Sequence, residues 1–305
     1  MKQTDKNILL DVFNIPVVEI LQEGNKLALI TKNSQKDHSS SFIEKSWDRY
    51  FIDLSFGSYR KLVTETNNIG RERTWHYLLK NLAFVDKLYS ESANETKILD
   101  IGCSSGYLRR FIEGNHSGVD SAKIYYWGVD IREDKIREAT HTSSNIETGA
   151  GGDLTPTAFI VHDTGINLPF KSNSFDYVSI FEMMKYLPIS EGKKLISEIK
   201  RVLKEGGTLS ISTPTSFEYY KEKRPENMIS LSPNELIDIL ESNGLIIDHV
   251  YGSQSSYKFL KDNIKSEHKV AFDALNDYFP NEITTAILTP LYPEYSTQIT
   301  LYAHV

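Results

Sequence analysis

The stretch Ile98–Phe111, ILDIGCSSGYLRRF, decides how the chain should fold. Three of its first four residues are apolar and predict a buried strand. The next residues, from Gly102 to Gly106, are small enough for a tight turn, and a helix should begin at Tyr107. A strand that runs through a glycine-containing turn into a helix usually holds a nucleotide-like ligand at that turn.

The sequence on the C-terminal side of this stretch alternates between strand and helix patterns. We expect helices at 107–113, from about 133, at 191–203 and at 233–242, the last of them capped by Ser232. We expect strands at 98–101, 124–130, 158–161, 175–181, 208–212, 245–251 and 298–304. This alternation predicts the α/β class, a doubly wound and mostly parallel sheet with helices on both faces. Ligands of such sheets bind beyond the carboxyl ends of the strands.

The composition narrows the classes of partner and site. The chain has 305 residues and a formal net charge of -7, so its surface repels phosphate backbones and nucleic acid is a disfavoured partner. Its single cysteine, Cys103, excludes an intrachain disulfide and a multi-cysteine zinc site. No secretion signal or membrane-spanning run is recognisable, so we expect a cytoplasmic protein without a membrane partner.

The two ends of the chain do not follow the alternation. Residues 1–68 are expected to form an N-terminal extension with a hairpin around QEGN (22–25) and helices. Residues 69–305 should form the main domain, with a lid-like insertion at 252–296 that contains a helix near 270–278. The helical pattern at 73–88 begins this domain.

The glycine spacing distinguishes two kinds of ligand. A dinucleotide fingerprint, G-x-G-x-x-G, would fall on Gly102, Ser104 and Tyr107, and a bulky tyrosine does not suit its third position. A dehydrogenase is therefore a distant alternative. The spacing present is Asp100-x-Gly102-x-Ser104-x-Gly106, which resembles the first motif of the class I S-adenosylmethionine (AdoMet) methyltransferases, with serine in place of the middle glycine.

Three later segments carry the same resemblance. They are YYWGVDIRED (125–134), FIVHDTGINLPFKSNSFDYVSIFEMMKYL (159–187) and EIKRVLKEGGTLSISTP (198–214). The resemblance covers residues 97–251 and is greatest to the small-molecule branch that includes the ubiquinone and menaquinone methyltransferases. It implies a Rossmann-like fold, an antiparallel last strand at 298–304, and AdoMet as the cofactor.

The resemblance also assigns roles to residues at the strand ends. Asp130 would accept two hydrogen bonds from the ribose diol, Ile131 would pack on the adenine ring, and Asp163 would accept from the adenine amino group. Backbone amides of the turn would face the methionine portion, and Cys103 would contribute backbone only. The expected cofactor-binding residues are Asp100, Gly102, Cys103, Ser104, Gly106, Asp130, Ile131, Asp163, Thr164, Phe181 and Arg73.

The catalytic candidates lie in two places. One is the segment after the fourth strand of the domain, and the other is the helix at 73–88, which precedes the first strand. Tyr186 could orient a nucleophile, or it could pack against the start of a helix. Many relatives carry a histidine near this point, which is absent here, so His76 is the alternative base. Arg73 could bind a carboxylate, and the competing interpretation of its helix is an ordinary amphipathic one. No metal site is expected.

The function that we predict is methylation of a small organic metabolite on oxygen, nitrogen or carbon. The alternatives are an RNA or protein methyltransferase and a non-catalytic AdoMet-binding regulatory subunit. The aromatic residues of 252–296 could complete a concave substrate pocket. They could instead form a core of their own or a contact in a homo-oligomer.

Overall fold

A computed structural model describes most of the predicted domain. The described residues are 1–31, 95–114, 123–141, 155–163, 167–214, 231–252, 255, 257–296 and 298–305. The predicted helix at 73–88 and the domain boundary at 68/69 lie outside them. No helix within the described ranges combines the length and apolarity that crossing a lipid bilayer requires.

One sheet of nine strands organises the described part of the chain. Its order is β1-β2-β5-β4-β3-β6-β7-β9-β8. The six strands from β2 to β7 in that order run parallel, whereas β1 and β9 are antiparallel to their neighbours. The predicted mostly parallel sheet with an antiparallel last strand is therefore confirmed. The strands are β1 Val17–Glu23, β2 Lys26–Thr31, β3 Glu95–Ile101, β4 Lys123–Asp130, β5 Thr157–Val161, β6 Phe175–Phe181, β7 Leu203–Pro214, β8 Ile246–Gly252 and β9 Gln298–His304.

Helices cover both faces of this sheet, as the doubly wound class requires. Apolar residues of α1, α4 and α5 join the core on one face, and those of α2 and α3 join the core on the other. The predicted cap of α5 is present, because Ser232 and Glu235 form a reciprocal capping box. The helices are α1 Gln3–Asp11, α2 Tyr107–Gly114, α3 Glu133–His141, α4 Ile189–Val202, α5 Pro233–Ser242, α6 Tyr257–Asn263, α7 Lys269–Tyr278 and α8 Asn281–Leu288.

The N-terminal hairpin forms as predicted, but it belongs to the central sheet. The two residues Gly24 and Asn25 connect β1 to β2, and β2 pairs in parallel with β5. Helix α1 is fixed to the same core, because the Trp127 indole N–H donates a 3.0 Å hydrogen bond to the Leu9 carbonyl. Residues 1–31 therefore extend the sheet beyond β5 and cover it at that side.

The described residues of the insertion between β8 and β9 form three α-helices, of which only α7 was predicted. Its aromatic side chains pack against one another: the rings of Tyr257 and Phe272 stack at 5.8 Å, and those of Tyr292 and Tyr295 at 6.1 Å. The buried Tyr292 hydroxyl also contacts His268 Nδ1 at 2.7 Å. These contacts favour the alternative in which the aromatic residues form a core of their own.

The turn between β3 and α2 is built from left-handed backbone. Gly102, Ser104 and Gly106 have φ values of +78°, +47° and +76°. A Cβ atom on Gly106 would lie 2.8 Å from the Phe159 ring of β5, and one on Gly102 would lie 2.8 Å from Cγ of Met183. Gly106 is thus required both by its conformation and by the contact of the turn with β5.

A carboxyl group is enclosed within the sheet beside this turn. Asp100 is 3% exposed, and the Tyr126 hydroxyl of β4 donates a hydrogen bond to its Oδ2. Burial raises the pKa of Asp100 to about 7; the Tyr126 hydrogen bond opposes this shift, and the nearby Asp130 adds to it. The folded protein therefore holds a proton on Asp100 at pH values where an exposed aspartate has lost it.

The first prediction compares two left-handed glycines. Gly106→Ala should lower stability by several kcal/mol, because the methyl group adds an overlap with Phe159 to the left-handed strain. Gly206→Ala is the matched control: its φ is +71° with no atom within 4 Å of the new Cβ, so it should cost only about 1–2 kcal/mol. Urea unfolding would measure both, and equal losses would contradict the role given to Phe159.

The second prediction concerns pH. The unfolded chain loses the Asp100 proton near its ordinary pKa of 3.8 and the folded chain near 7, so the unfolded state binds fewer protons between these values. Stability should therefore fall as pH rises from about 4 to 7, by up to about 4 kcal/mol from this group. Asp100→Asn should remove that contribution, whereas the exposed Asp134→Asn should retain it. If the stability of the wild type and of Asp100→Asn changed with pH in parallel, the raised pKa of Asp100 would be contradicted.

Candidate cofactor and active site

The carboxyl ends of the parallel strands meet at one edge of the sheet. Backbone hydrogen bonds hold these ends together beyond the regular ladders: Gly102 N donates to the Val129 carbonyl at 2.8 Å, and His162 N donates to the Asp130 carbonyl at 3.0 Å. The ends of β3, β4 and β5 are thereby fixed side by side. The sequence prediction that this edge forms a single site agrees with this arrangement.

Asp130 joins the turn to the tip of β4. Its Oδ2 accepts a 2.9 Å hydrogen bond from Ser104 N, and its Oδ1 accepts a 3.0 Å bond from Arg132 N. Each carboxylate oxygen has a second lone pair, and the side chain is only half-buried. Asp130 is thus held at the edge with acceptor capacity left for a ligand that presents two hydroxyl groups.

The amides of the turn are largely used by the protein itself. Gly102 N and Cys103 N both donate to the Val129 carbonyl, Ser104 N donates to Asp130, and Gly106 N donates to the Cys103 carbonyl. The expectation that these four amides face a ligand is therefore not met. A ligand beside the turn would meet its acceptors instead, and acceptors suit an ammonium group better than amide donors do.

The two residues after β5 differ in role: His162 is structural, and Asp163 is a candidate ligand-binding residue. Both ring nitrogens of the buried His162 contact protein atoms, Nδ1 with Thr31 Oγ1 at 2.9 Å and Nε2 with the Asn167 carbonyl at 2.7 Å. Burial lowers the pKa of this histidine, which favours the neutral ring. The neighbouring Asp163 is half-buried at the same edge as Asp130, and Ile131 beside Asp130 is also half-buried.

The segment after β6 approaches the turn from the other side. The side chain of Met183 lies against Gly102, and Tyr186 ends a single 3-10 turn formed by residues 184–186. Phe181 and Tyr186 are both half-buried at this edge, while Lys185 is buried with its Nζ 5.2 Å from the centre of the Tyr186 ring. The structure thus brings Tyr186 to the same strand edge as the turn.

Burial raises the pKa of two groups at this edge. It raises the pKa of Asp130 above its ordinary value, although the Arg132 and Ser104 amides oppose the shift by stabilising the charged form. Burial, together with the charges of Asp130 and Asp100, raises the pKa of the Cys103 thiol well above its ordinary value. A protonated, 4% exposed thiol is not a nucleophile, in agreement with the backbone role expected for Cys103.

Three expected site residues lie outside the described residues: Arg73, His76 and Thr164. Conversely, sequence reasoning gave no role to Met183, which closes the side of the turn at Gly102. It gave no role to Glu182 either, although the spacing from Glu182 to Lys185 is one at which side chains meet on a helical turn. That spacing was the available signal for the ion pair that they form at 2.7 Å.

Comparison with known proteins agrees with this geometry. Residues 99–211 match the family described as "Methyltransferase domain". The chain is 31% identical over 131 residues to the sterol 24-C-methyltransferase of Yarrowia lipolytica, a match that covers 43% of this chain and 31% of the relative. It is 25% identical over 171 residues to the ubiquinone/menaquinone biosynthesis C-methyltransferase of Campylobacter jejuni, covering 56% of this chain and 63% of the relative. The chain thus spans less than two thirds of either relative.

A solved structure is also similar, at low identity. The phosphoethanolamine N-methyltransferase 2 of Haemonchus contortus, in complex with AdoMet, is 17% identical with a TM-score of 0.45, and the similarity covers 84% of this chain and 59% of that one. The assignment therefore depends on the sequence matches. Residues 99–211 therefore match a methyltransferase domain, in agreement with the resemblance seen in the sequence.

Proposed function

We propose that the protein transfers the methyl group of AdoMet to a small organic metabolite. The observation that carries this proposal is the position of Asp130, which is tied to the left-handed turn and to the start of α3 by its two oxygens and still has lone pairs to offer. An acceptor pair at the tip of β4 fits a ribose diol. The names of the sterol and quinone methyltransferase relatives support a small-molecule substrate.

The residues at the edge fit AdoMet in their chemistry. Asp130 would hold the ribose, Ile131 would cover the adenine, and Asp163 would accept from the adenine amino group. Phe181, at the end of β6, would add an apolar wall. The turn would receive the methionine portion through its acceptors, with Asp100 beside it. The cofactor supplies an activated methyl group bound to a sulfonium.

The protein's own contribution to the transfer is then alignment and exclusion of water. A nucleophile must be held in line with the methyl group and the sulfur, and the geometry alone can supply much of the rate enhancement. We assign to Tyr186 the hydrogen bond that orients the nucleophile. Met183 and Phe181 are apolar and would limit the access of water to the reacting atoms.

The third prediction tests the cofactor site. Asp130→Ala should weaken AdoMet binding about 10- to 150-fold, because hydrogen bonds to a charged group contribute about 1.5–3 kcal/mol. Asp134→Ala is the control: this carboxylate lies one turn further along, is exposed and pairs with Arg132. Calorimetry on both variants, with thermal unfolding to check folding, gives the comparison. An unchanged affinity in a folded Asp130→Ala protein would remove Asp130 from the site.

The fourth prediction identifies the class of substrate. The protein is incubated with methyl-labelled AdoMet and a cell extract separated into small-molecule, protein and RNA fractions. Label should enter the small-molecule fraction, and Asp130→Ala should reduce it at least tenfold. Label in the RNA or protein fraction would instead support a macromolecular substrate. AdoMet binding without any transfer would support a non-catalytic, regulatory role.

A further inference from the structure

The residue that follows β6 has an unusual backbone. Glu182 has a φ of +58°, while its N–H donates a 2.9 Å hydrogen bond to the Ser212 carbonyl of β7. Left-handed backbone is uncommon for a residue other than glycine, and it persists where surrounding contacts impose it, often at functional sites. The conformation fixes where the carboxylate leaves the sheet edge.

The Glu182 side chain is buried and only partly satisfied. The residue is 7% exposed, and its Oε2 accepts a 2.7 Å hydrogen bond from Nζ of Lys185, which is 3% exposed. Its Oε1 is also enclosed and has no hydrogen-bond partner among the described residues. A buried carboxylate oxygen without a donor is costly, because the water lost on burial is not replaced.

Gln298 shows the same feature at the start of β9. It is 2% exposed, and both its amide oxygen and its amide nitrogen lack a hydrogen-bond partner within the described part of the chain. Buried hydroxyl groups next to it do find partners: Thr300 Oγ1 contacts Ser212 Oγ, and Ser212 Oγ contacts the Ile299 carbonyl, both at 3.4 Å. The unsatisfied amide is therefore a local exception.

The two groups belong to the same edge of the sheet. Because β9 is antiparallel to β7, its first residue lies beside the last residue of β7, and Gln298 pairs with Pro214. Glu182 follows the end of β6, the other neighbour of β7. Two strand spacings separate them, roughly 10 Å. They lie beyond β3 on the side away from Asp130 and Asp163, the residues that we assign to the adenosine portion of the cofactor.

We propose that Glu182 and Gln298 bind the methyl acceptor, an inference that rests on the proposed function. Glu182 Oε1 accepts a hydrogen bond from the hydroxyl or amino group of the acceptor, and Lys185 holds the carboxylate in place. The Gln298 amide pairs with an adjacent donor and acceptor elsewhere on the same molecule, such as a carboxamide or a hydroxy-ketone. The substrate is thus a polar metabolite with hydrogen-bonding groups at two points, not an apolar one like a sterol.

A stability measurement tests this without any substrate. Gln298→Met keeps the length of the side chain but removes the unsatisfied amide, so it should raise the melting temperature of the AdoMet-free protein by about 2 °C or more. Thr140→Val is the control, because its buried hydroxyl donates a 2.8 Å bond to the Ile136 carbonyl and its removal should bring no gain. A lower melting temperature for Gln298→Met would overturn the proposal, since it would show a structural role.

A transfer measurement supplies the functional test. With methyl-labelled AdoMet and a deproteinised small-molecule extract as the probe, Glu182→Gln and Gln298→Met should each lose at least tenfold in transfer, while AdoMet affinity stays within twofold. Glu198→Gln is the matched control, since Glu198 forms an equivalent i,i+3 pair with Arg201 on α4. Full transfer by both edge variants would overturn this inference and leave the proposed function intact. If the wild-type protein did not bind AdoMet, the proposed function itself would be refuted.

Discussion

The architecture of the site depends on the space around one aromatic ring, that of Phe159. The ring lies between two glycines of neighbouring elements: a Cβ on Gly106 or on Gly128 would come within 2.8 Å of it. Tyr126 adds an edge-on contact at 5.9 Å. Because the ring fills the space that these glycines leave open, the turn after β3 can lie close to β4 and β5. That closeness is what allows Ser104 N to reach Asp130.

The short distance between the turn and β4 also affects the protonation of the two carboxyl groups there, Asp100 and Asp130. Asp130 is near enough to raise the pKa of Asp100, and backbone amides stabilise the charge of Asp130. The buried Asp100 with its tyrosine partner is the natural carrier of the proton. A cation bound beside the turn would favour the ionised form of Asp100, so its binding would release a proton.

Local patterns were sufficient for much of the fold. The strand-turn-helix unit, the hairpin, the Ser232 cap and the last strand Gln298–His304 were all predicted because each depends on neighbouring residues. The pairing of β2 with β5 was not predicted, since strands more than 120 residues apart leave no periodic signal. The aromatic content of the insertion left its packing open, because a pocket wall and a small core require the same residue types.

Only part of the candidate site could be predicted from the sequence. The spacing from Asp100 to Gly106 and the acidic residue after β4 indicated the turn and its partner, because this edge gathers the strand ends. The use of the turn amides within the protein could not be predicted, since it depends on the distance to Val129. Glu182 and Gln298 were missed for a related reason: an unsatisfied buried group is a property of its surroundings and has no signature in its own sequence.

The position of the N-terminal hairpin has a consequence for association with other chains. By pairing with β5 it moves the sheet edge outward to β1, so that β1 and β8 are the outermost strands among the residues that the structure describes. Both have an irregular register, β1 between Glu19 and Leu21 and β8 between Ile247 and His249. Lys6 and Glu19 form an ion pair beside β1. Bulged edges with charged side chains are poor templates for an incoming strand, and the sheet is thereby protected against edge-to-edge aggregation.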